Sequence, residues 1–335
     1  MLFLQKNPQK DFIILNLTDL HLSKDELAAD HPAYRVFKYT LHELIERVHP
    51  DLITISGDIS WGEGHLEAYR NFAELMQSYG IPWAPVWGNH DNEDGTAVVD
   101  EIAELFLSYP TCVFEKGDPT LGCGNYVIGI CEEDKIVEAL VMMDTHYGTT
   151  VTYLNRNCEM TQHGSYASLT PVQMEWYREQ IKDLKAMGCA DSTMIVHIPL
   201  YGYREAFYGA TDDEFRAPQK VSLEDSYHGV GWREAYKASC FGVNREGIAS
   251  PDYQDGVLDI LVRCAHTKHV IAGHEHINNF SILYQGVRLT YSTKTGMGCY
   301  WNPDLNGGTV LTVTTDGVQH LHHEYVDVTH LLPPQ

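Results

Sequence analysis

The sequence has few basic residues, no long apolar run and no closely paired cysteines, and each of these absences argues against a class of protein. Basic residues are scarce, 23 against 46 acidic ones, so the net charge of −23 repels long DNA or RNA. No segment approaches 18 uninterrupted apolar residues, and the start MLFLQKNPQKDF has only a short apolar stretch without a small-residue cleavage site. The eight cysteines form no C-x-x-C pair, which argues against a zinc ribbon and a dense disulfide framework. We therefore expect a cytoplasmic protein with no membrane partner and mostly buried thiols.

The rest of the composition is that of an ordinary globular protein. Hydrophobic residues make up 44% and charged residues 21% of the sequence, as in typical folded domains. A chain of 335 residues fits one large domain or two small ones and can bury a sizeable core. Because no stretch has the composition of a linker, we expect a single domain over residues 1–335.

Hydrophobic periodicity predicts an alternation of strands and helices. Predicted strands lie at 12–17, 52–56, 83–87, 126–130, 139–144, 193–196, 270–272, 280–284, 287–291, 309–314 and 318–325. Predicted helices lie at 33–48, 65–79, 97–108, 172–187 and about 256–264. Residues from about 198 to 255 lack a clear period, which favours an irregular cover on the substrate side of the fold.

Five short polar motifs each stand directly behind one of the apolar runs. They are Asp19-Leu20-His21, Gly57-Asp58, Gly88-Asn89-His90-Asp91, His197 and Gly273-His274-Glu275-His276. Apolar runs of this length are typical of buried strands, so each motif leaves the carboxyl end of a core strand. At that edge of an α/β sheet the loops converge and ligands collect. Carboxylate, amide and imidazole groups suit borderline divalent ions such as Mn, Fe or Zn, so the motifs together predict a two-metal site.

The ordered set D-x-H, GD, GNHD, H and GHEH resembles the calcineurin-like metallophosphoesterases over about residues 19–276. The part from His197 onward further resembles a branch akin to the purple acid phosphatases. The resemblance implies an α/β (α+β) fold of four layers, with two mixed β-sheets in a sandwich flanked by helices. It implies two divalent transition-metal ions (Mn, Fe or Zn), held by Asp19, His21 and His276, by Asn89, His197 and His274, and by Asp58 as the bridge.

One histidine of the third motif is left without a metal. By resemblance, His90 acts in catalysis, with Asp91 as its partner. A protonated His90 could stabilise the phosphoryl oxygens or give a proton to the leaving alkoxide. The alternative is a packed, hydrogen-bonded loop histidine.

The sequence departs from the purple acid phosphatase pattern in two places. Trp61 stands three residues after Asp58, where those enzymes have a tyrosine, and His21 stands where they have a glycine. The phenolate ligand that colours ferric iron is therefore missing, which favours Mn, Fe(II) or Zn.

Four further residues are candidates for binding substrate. His146 and Tyr147 follow the predicted strand that ends near Asp144, although His146 fits a satisfied loop histidine equally well. Tyr201 and Asn244 lie in the irregular cover, where they could shape a pocket for the leaving group.

These observations predict a dinuclear-metal phosphohydrolase that uses a metal-bound hydroxide on a small phosphorylated substrate, most simply a phosphomonoester. A phosphodiesterase or nucleotide pyrophosphatase could use the same site, because the motifs define only the phosphoryl centre. An inactive binding scaffold is the alternative of another class. Retention of all seven ligand positions and of His90 argues against it.

Overall fold

The computed structural model describes residues 1–23, 25–26, 31–61, 65–93, 96–154, 158–208 and 240–332. In this part of the chain the strands are β1 (Leu2–Lys6), β2 (Phe12–Leu17), β3 (Leu52–Ser56), β4 (Trp83–Val86), β5 (Tyr126–Glu132), β6 (Lys135–Met142), β7 (Gly148–Leu154), β8 (Met160–Tyr166), β9 (Ser192–Ile195), β10 (Thr267–Ala272), β11 (Ser281–Tyr284), β12 (Val287–Tyr291), β13 (Gly307–Thr314) and β14 (Gly317–Tyr325). The helices are α1 (Pro32–Val48), α2 (His65–Tyr79), α3 (Thr96–Leu107), α4 (Pro171–Ala186), α5 (Gly202–Tyr208) and α6 (Val257–Cys264).

Two mixed sheets carry the fold. The larger has the order β1-β5-β6-β9-β10-β12-β11, and its pairs β6-β9, β9-β10 and β10-β12 are parallel. The smaller has the order β14-β13-β2-β3-β4, in which β2-β3 and β3-β4 are parallel. Strands β7 and β8 form a separate antiparallel hairpin.

Alternation along the strands of the larger sheet divides the core in two. Ile128 and Leu140 face the smaller sheet and share a core with α1, α2 and α3. Val127 and Val141, one residue away, face the opposite side and pack against α4, α5 and α6. Because side chains of a strand alternate between faces, each central strand of this sheet is buried on both sides. The result is the predicted sandwich of two mixed sheets flanked by helices.

A buried carboxyl group links the two sheets. Glu138 of β6 accepts hydrogen bonds from the Thr193 hydroxyl of β9 (3.1 Å) and from the Val318 amide of β14 (3.2 Å). Its side chain is buried, and burial raises the pKa of this carboxyl group to about 8. The folded protein therefore holds a proton here at neutral pH.

The predicted elements agree with the structure to within a few residues at their ends, and helix α4 shows why. The Thr170 hydroxyl accepts a hydrogen bond from the Gln173 amide, the Gln173 side-chain oxygen accepts one from the Thr170 amide, and Pro171 occupies the first turn. This capping box starts the helix where the sequence pattern places it.

Four elements were not predicted. Strand β1 and the hairpin β7-β8 lack the apolar runs on which the predictions rested, and the short helix α5 lies in the segment predicted to be an irregular cover. Of that predicted cover, residues 209–239 lie outside the described part. Residues 240–255 contain no helix or strand, and their β-pairing is limited to isolated bridges of Phe241 with Ser281 and of Asn244 with Asn278. The single domain over residues 1–335 stays a prediction.

Within the described ranges, no helix has the length and apolar character needed to cross a bilayer. All eight cysteines are free thiols, and five of them are exposed or partly exposed, so the prediction of mostly buried thiols is wrong.

Candidate metal centre

The five motifs meet at one edge of the sandwich. The first three leave the carboxyl ends of the adjacent parallel strands β2, β3 and β4, and the last two leave those of β9 and β10 in the facing sheet. Backbone hydrogen bonds extend these ladders into the loops, from Asp19 N to Gly57 O (3.1 Å) and from Gly273 N to His197 O (3.1 Å). The side chains are therefore positioned by the most rigid part of the fold.

Four of the predicted ligands have a strained backbone. Asp19, His21, Asp58 and His274 have φ angles of 54°, 47°, 52° and 76°, in the left-handed region that residues other than glycine rarely adopt. Strain of this kind costs of order 1–3 kcal/mol per residue and is typical of functional sites. The surrounding hydrogen bonds must compensate for it.

Glycines in the motifs allow the loops to approach closely. A Cβ atom at Gly88 would lie 2.7 Å from Cγ of Asp58, and one at Gly57 would lie 2.6 Å from Nδ1 of His197. Both distances are shorter than the 3.5–4.0 Å of ordinary carbon contacts. A side chain at either position would displace a predicted metal ligand.

The first ligand group consists of Asp19, His21 and His276. The Nε2 atoms of the two histidines lie 2.9 Å apart, and Oδ1 of Asp19 lies 3.5 Å from Nε2 of His276 and 3.8 Å from Nε2 of His21. Oδ1 of Asp19 is buried and has no hydrogen-bond partner. A buried carboxylate oxygen that faces two imidazole nitrogens without a donor is well suited to a cation.

The second group consists of Asp58, His197, His274 and Asn89. Nε2 of His197 lies 3.0 Å from Oδ1 of Asn89 and 3.3 Å from Nδ1 of His274. Nδ1 of His197 donates to the Ser56 carbonyl (2.7 Å), which leaves Nε2 free to coordinate. His276 is oriented in the same way, because its Nδ1 donates to the Tyr300 carbonyl (2.8 Å).

Asp58 connects the two groups. Its Oδ2 atom lies 3.4 Å from Nε2 of His21 and 3.3 Å from Nε2 of His197. Its Oδ1 atom accepts a hydrogen bond from the His90 amide (2.9 Å), which fixes the carboxylate plane. One carboxylate thus faces both clusters of possible ligands.

The ionisation states in the site fit a cation. Burial lowers the pKa of His21 to about 4 and that of His274 to about 3, so both imidazoles are neutral at pH 7. Burial opposes ionisation of Asp58, but the contact with His197 outweighs it and lowers its pKa below the usual range. Burial would also lower the pKa of His197, but Asp58 and Asp19 raise it to about 9. Neutral imidazoles and ionised carboxylates are the forms that bind metals, and a metal would displace the proton of His197.

His90 lies at the mouth of the site. One of its ring nitrogens is within 4.8 Å of ligand atoms of His21 and Asp58, and its side chain is 30% exposed. The predicted pairing of His90 with Asp91 is wrong. Nδ1 of His90 instead lies 2.8 Å from a carboxylate oxygen of Glu93, in a contact that lacks hydrogen-bond geometry.

Asp91 has a different position from the one predicted. It is buried beneath the loops, where its carboxylate accepts hydrogen bonds from the amides of Asp58 (2.8 Å) and Gly88 (2.7 Å) and from the Tyr69 hydroxyl. Burial and the nearby Asp58 raise its pKa to about 6. Asp91 therefore positions the second and third motifs and does not face the reacting atoms.

Trp61 stands at the rim of the first group. Its indole ring makes edge contacts with the rings of His21 (centroids 6.1 Å apart) and His90 (6.2 Å). An indole offers no anionic ligand, in agreement with the predicted absence of a tyrosinate at this position.

The four candidate substrate residues divide into two pairs. Tyr147 is 49% exposed and lines a cavity beside the metal centre, and His146 lies behind it with Nε2 3.1 Å from the Gln173 side chain. Burial would lower the pKa of His146, but Asp144 more than offsets it and raises the pKa. Tyr201 and Asn244 are buried and do not line that cavity.

Two functional features escaped the sequence analysis. Lys294 is buried, and its ammonium donates a hydrogen bond to the Asp19 carbonyl, which helps to position the first motif. Burial lowers the pKa of Lys294 to about 8. Tyr166, at the end of β8, places its ring 4.3 Å from the ring of His274. The run of β-branched residues in GTTVTYL could have predicted strand β7 of the hairpin, but no local signal marks Lys294 or Tyr166.

Comparison with known proteins agrees with this geometry. The family model described as calcineurin-like phosphoesterase matches residues 12–278. Phosphatase DCR2 of Saccharomyces cerevisiae is 23% identical over 301 residues, which cover 83% of this chain and 46% of the yeast protein. The chain thus spans about half the length of that relative.

Other relatives carry different descriptions. The probable inactive purple acid phosphatase 28 of Arabidopsis thaliana is 23% identical over 325 residues, 88% of this chain and 72% of that protein. A probable cyclic nucleotide phosphodiesterase of Xenorhabdus bovienii is 36% identical over 83 residues, 23% of this chain and 33% of that protein. Among solved structures, a dimetal phosphatase from Danio rerio has the same fold, with a TM-score of 0.54 at 10% identity over 91% of this chain and 93% of that one.

Proposed function

The chain belongs to the calcineurin-like phosphoesterase family, and we propose that it is a dinuclear-metal phosphohydrolase that acts on small phosphomonoesters. The observation that carries the proposal is the position of Asp58. Its Oδ2 atom lies 3.4 Å and 3.3 Å from imidazole nitrogens of two separate ligand groups. A carboxylate so placed can serve two ions at once.

Two groups of residues would hold the ions. Asp19, His21 and His276 would hold one ion, Asn89, His197 and His274 would hold the other, and Asp58 would be shared between them. Four imidazoles with carboxylate and amide oxygens fit Mn, Fe(II) or Zn better than Mg or Ca, which prefer all-oxygen sites. When bound, such a pair of ions supplies positive charge for the phosphoryl oxygens and a nucleophilic water at neutral pH.

His90 handles the leaving group in this proposal. As the oxygen of water bonds to phosphorus and the ester P–O bond breaks, the imidazolium of His90 gives its proton to the departing alkoxide. The attacking water releases a proton to solvent, and His90 regains one from solvent. Its partial exposure at the mouth and its closeness to His21 and Asp58 support this role. The Glu93 carboxylate lies 2.8 Å from Nδ1 of the ring.

A phosphomonoester is the simplest substrate because it needs only the phosphoryl site. The name of the yeast relative, a phosphatase that matches 83% of this chain, supports that class. A strongly acidic protein, with a net charge of −23, also favours a small phosphorylated substrate over a long nucleic acid.

A diesterase acting at the same centre is the second candidate. The cavity beside the metal groups has space for a second substituent on phosphorus. The short match to a probable cyclic nucleotide phosphodiesterase is compatible with it.

An inactive scaffold is the candidate from another class. Three plant relatives are described as probably inactive. Against this interpretation stand the complete ligand set, the presence of His90 beside it, and the strained backbone at four ligands, whose cost a scaffold need not maintain.

The deciding experiment is a hydrolysis screen of the purified chain loaded with Mn, Fe(II), Zn or Mg. The substrates are p-nitrophenyl phosphate, bis-p-nitrophenyl phosphate and a pyrophosphate ester, and bound metal is counted in parallel. A monoesterase should prefer the first substrate. Preference for the second would replace the monoesterase with a diesterase, and two bound ions without turnover of any substrate would favour the scaffold.

A further inference from the structure

A cavity of about 640 Å³ opens beside the second ligand group. One wall is the hairpin β7-β8, which contributes Tyr147, Thr150, Ser165 and Tyr166. The opposite wall comes from α5 and the segment 249–252. A volume of this size accommodates a ligand larger than a phosphate group.

Tyr166 joins this cavity to the metal centre. It lines the cavity, and its ring also lies 4.3 Å from the ring of His274 in an edge contact. On the opposite wall, the amide of Ala249 donates to Glu275, which stands between His274 and His276 in the chain. A group bound in the cavity is therefore adjacent to a phosphoryl group on the metals.

The walls are tied together by Asp252. Its amide donates to the Ser165 hydroxyl (2.9 Å), and its carboxylate lies 3.3 Å from Arg204 and 3.4 Å from His163. Arg204 also donates to the Ile248 carbonyl (3.1 Å). The cavity is thus a built feature, held by contacts between the hairpin and the segment 249–252.

The chemistry of the walls selects the ligand. Tyr147 and Tyr166 are 49% and 37% exposed and present aromatic rings to the cavity, and the hydroxyl groups of Thr150 and Ser165 stand beside them. Arg204, the one lysine or arginine among the described lining residues, already contacts the Asp252 carboxylate. A second phosphate would meet that carboxylate, whereas a planar ring can stack on tyrosine and find hydrogen-bond partners.

We propose that this cavity is a subsite for a planar aromatic or heteroaromatic group on the leaving side of the phosphoester, so that the substrate class is a nucleoside monophosphate or a similar base-bearing ester. The inference rests on the proposed phosphohydrolase function and adds specificity to it. Tyr147 is the specificity residue, because it is exposed to the cavity and, unlike Tyr166, has no contact with a metal ligand.

The test compares adenosine 5′-monophosphate with ribose 5-phosphate. Both esters release a primary 5′-alkoxide of a ribose, and the base of the nucleotide replaces the anomeric hydroxyl of ribose 5-phosphate, so the reactivity of the leaving oxygen is matched in the ratio of their kcat/KM values. We expect the metal-loaded chain to favour the nucleotide by at least about tenfold, the scale of stacking one base on an aromatic side chain. Tyr147→Ala should bring the ratio close to one, and Tyr147→Phe should keep it. Tyr153→Ala is the matched control, because Tyr153 is exposed on the same hairpin but does not line the cavity.

The outcomes separate the subsite from the reaction. A ratio near one in an active wild-type protein would overturn the subsite and leave the phosphohydrolase standing. If no ester is hydrolysed, equilibrium binding of adenosine 5′-monophosphate to the metal-loaded chain still decides. If Tyr147→Ala weakens this binding and Tyr147→Phe does not, the subsite is supported without the reaction. If Tyr147→Ala leaves the binding unchanged, the subsite is overturned. Should Tyr147→Ala fail to fold, Tyr147→Leu removes the ring with less loss of volume.

Discussion

Replacing Gly88 by alanine should disrupt the metal centre through one methyl group. Gly88 has no positive φ angle, so alanine is compatible with its backbone. The added Cβ would lie 2.0 Å from Oδ1, 2.4 Å from the amide nitrogen and 2.7 Å from Cγ of Asp58, all well inside an ordinary contact distance of about 3.5 Å. Either the loop after β4 or the loop that carries Asp58 must therefore move by at least about 1 Å.

A movement of that size affects both binding and turnover. Misplacement of a reacting group by about 1 Å can cost about 10²-fold in rate. Overpacking of a tight interior costs about 1–3 kcal/mol of unfolding free energy. We therefore expect Gly88→Ala to bind fewer than two ions per chain and to lose about 10²-fold in kcat/KM while it still folds.

Metal stoichiometry by elemental analysis and denaturant unfolding measure the two effects independently. Gly164→Ala is the matched control for metal content and unfolding only, because a Cβ atom there meets nothing within 4 Å but would face the cavity proposed to bind substrate. If Gly88→Ala retains two ions and full activity, the close approach of the two loops has no role in positioning Asp58.

Four further results are expected. Asp58→Asn should lose more bound metal than His21→Ala, because Asp58 faces both ligand groups. Elemental analysis measures the metal content of the two variants. Retention of both ions by Asp58→Asn would mean that another residue is the bridge. His90→Gln should keep both ions but lose about 10²–10⁴-fold in kcat. The loss should be smaller on p-nitrophenyl phosphate than on alkyl phosphates, because p-nitrophenolate needs little protonation. An equal loss on both substrates would indicate an electrostatic role instead. The iron-loaded protein should show no strong visible charge-transfer band, because Trp61 supplies no phenolate; a purple spectrum would mean that another tyrosine reaches the metal. Burial raises the pKa of Glu138 from 4.5 to about 8, so the folded state holds a proton that the unfolded chain releases. Stability should therefore fall as pH rises, by roughly 2.5 kcal/mol between pH 6 and 9, and urea unfolding should show no such contribution in Glu138→Gln.

Much of the fold could be predicted because buried strands and helices show a pattern of apolar residues over a short stretch of sequence. Strands such as β3, which is rich in leucine and isoleucine and buried at every position, and helices such as α4, with its capping residues at Thr170 and Gln173, are specified by neighbouring residues. The hairpin β7-β8 was missed because its burial is slight, so its sequence has no apolar run. Helix α5 was missed for its length of seven residues, which is too short for a clear period.

The candidate site could likewise be predicted in part from the sequence. Residue type and position behind a strand were enough to select the seven predicted ligands, and the fold brings all seven to one edge of the sandwich. The pairing of His90 with Asp91 was wrong because adjacent residues in a loop need not face each other. Lys294 was missed because nothing in its neighbourhood along the chain shows that it lies beneath Asp19.

The sequence by itself determined which groups can bind metal, because imidazole, carboxylate and amide oxygen are properties of single residues, and the strand before each motif shows where it emerges. Only the tertiary structure decided how these groups are shared, since the distances from Asp58 to His21 and His197 depend on two sheets packing face to face. The same packing sets Asp91 beneath the loops and forms the cavity between Tyr147 and the segment 249–252. Contacts between residues far apart in the chain are products of packing, and no local pattern records them.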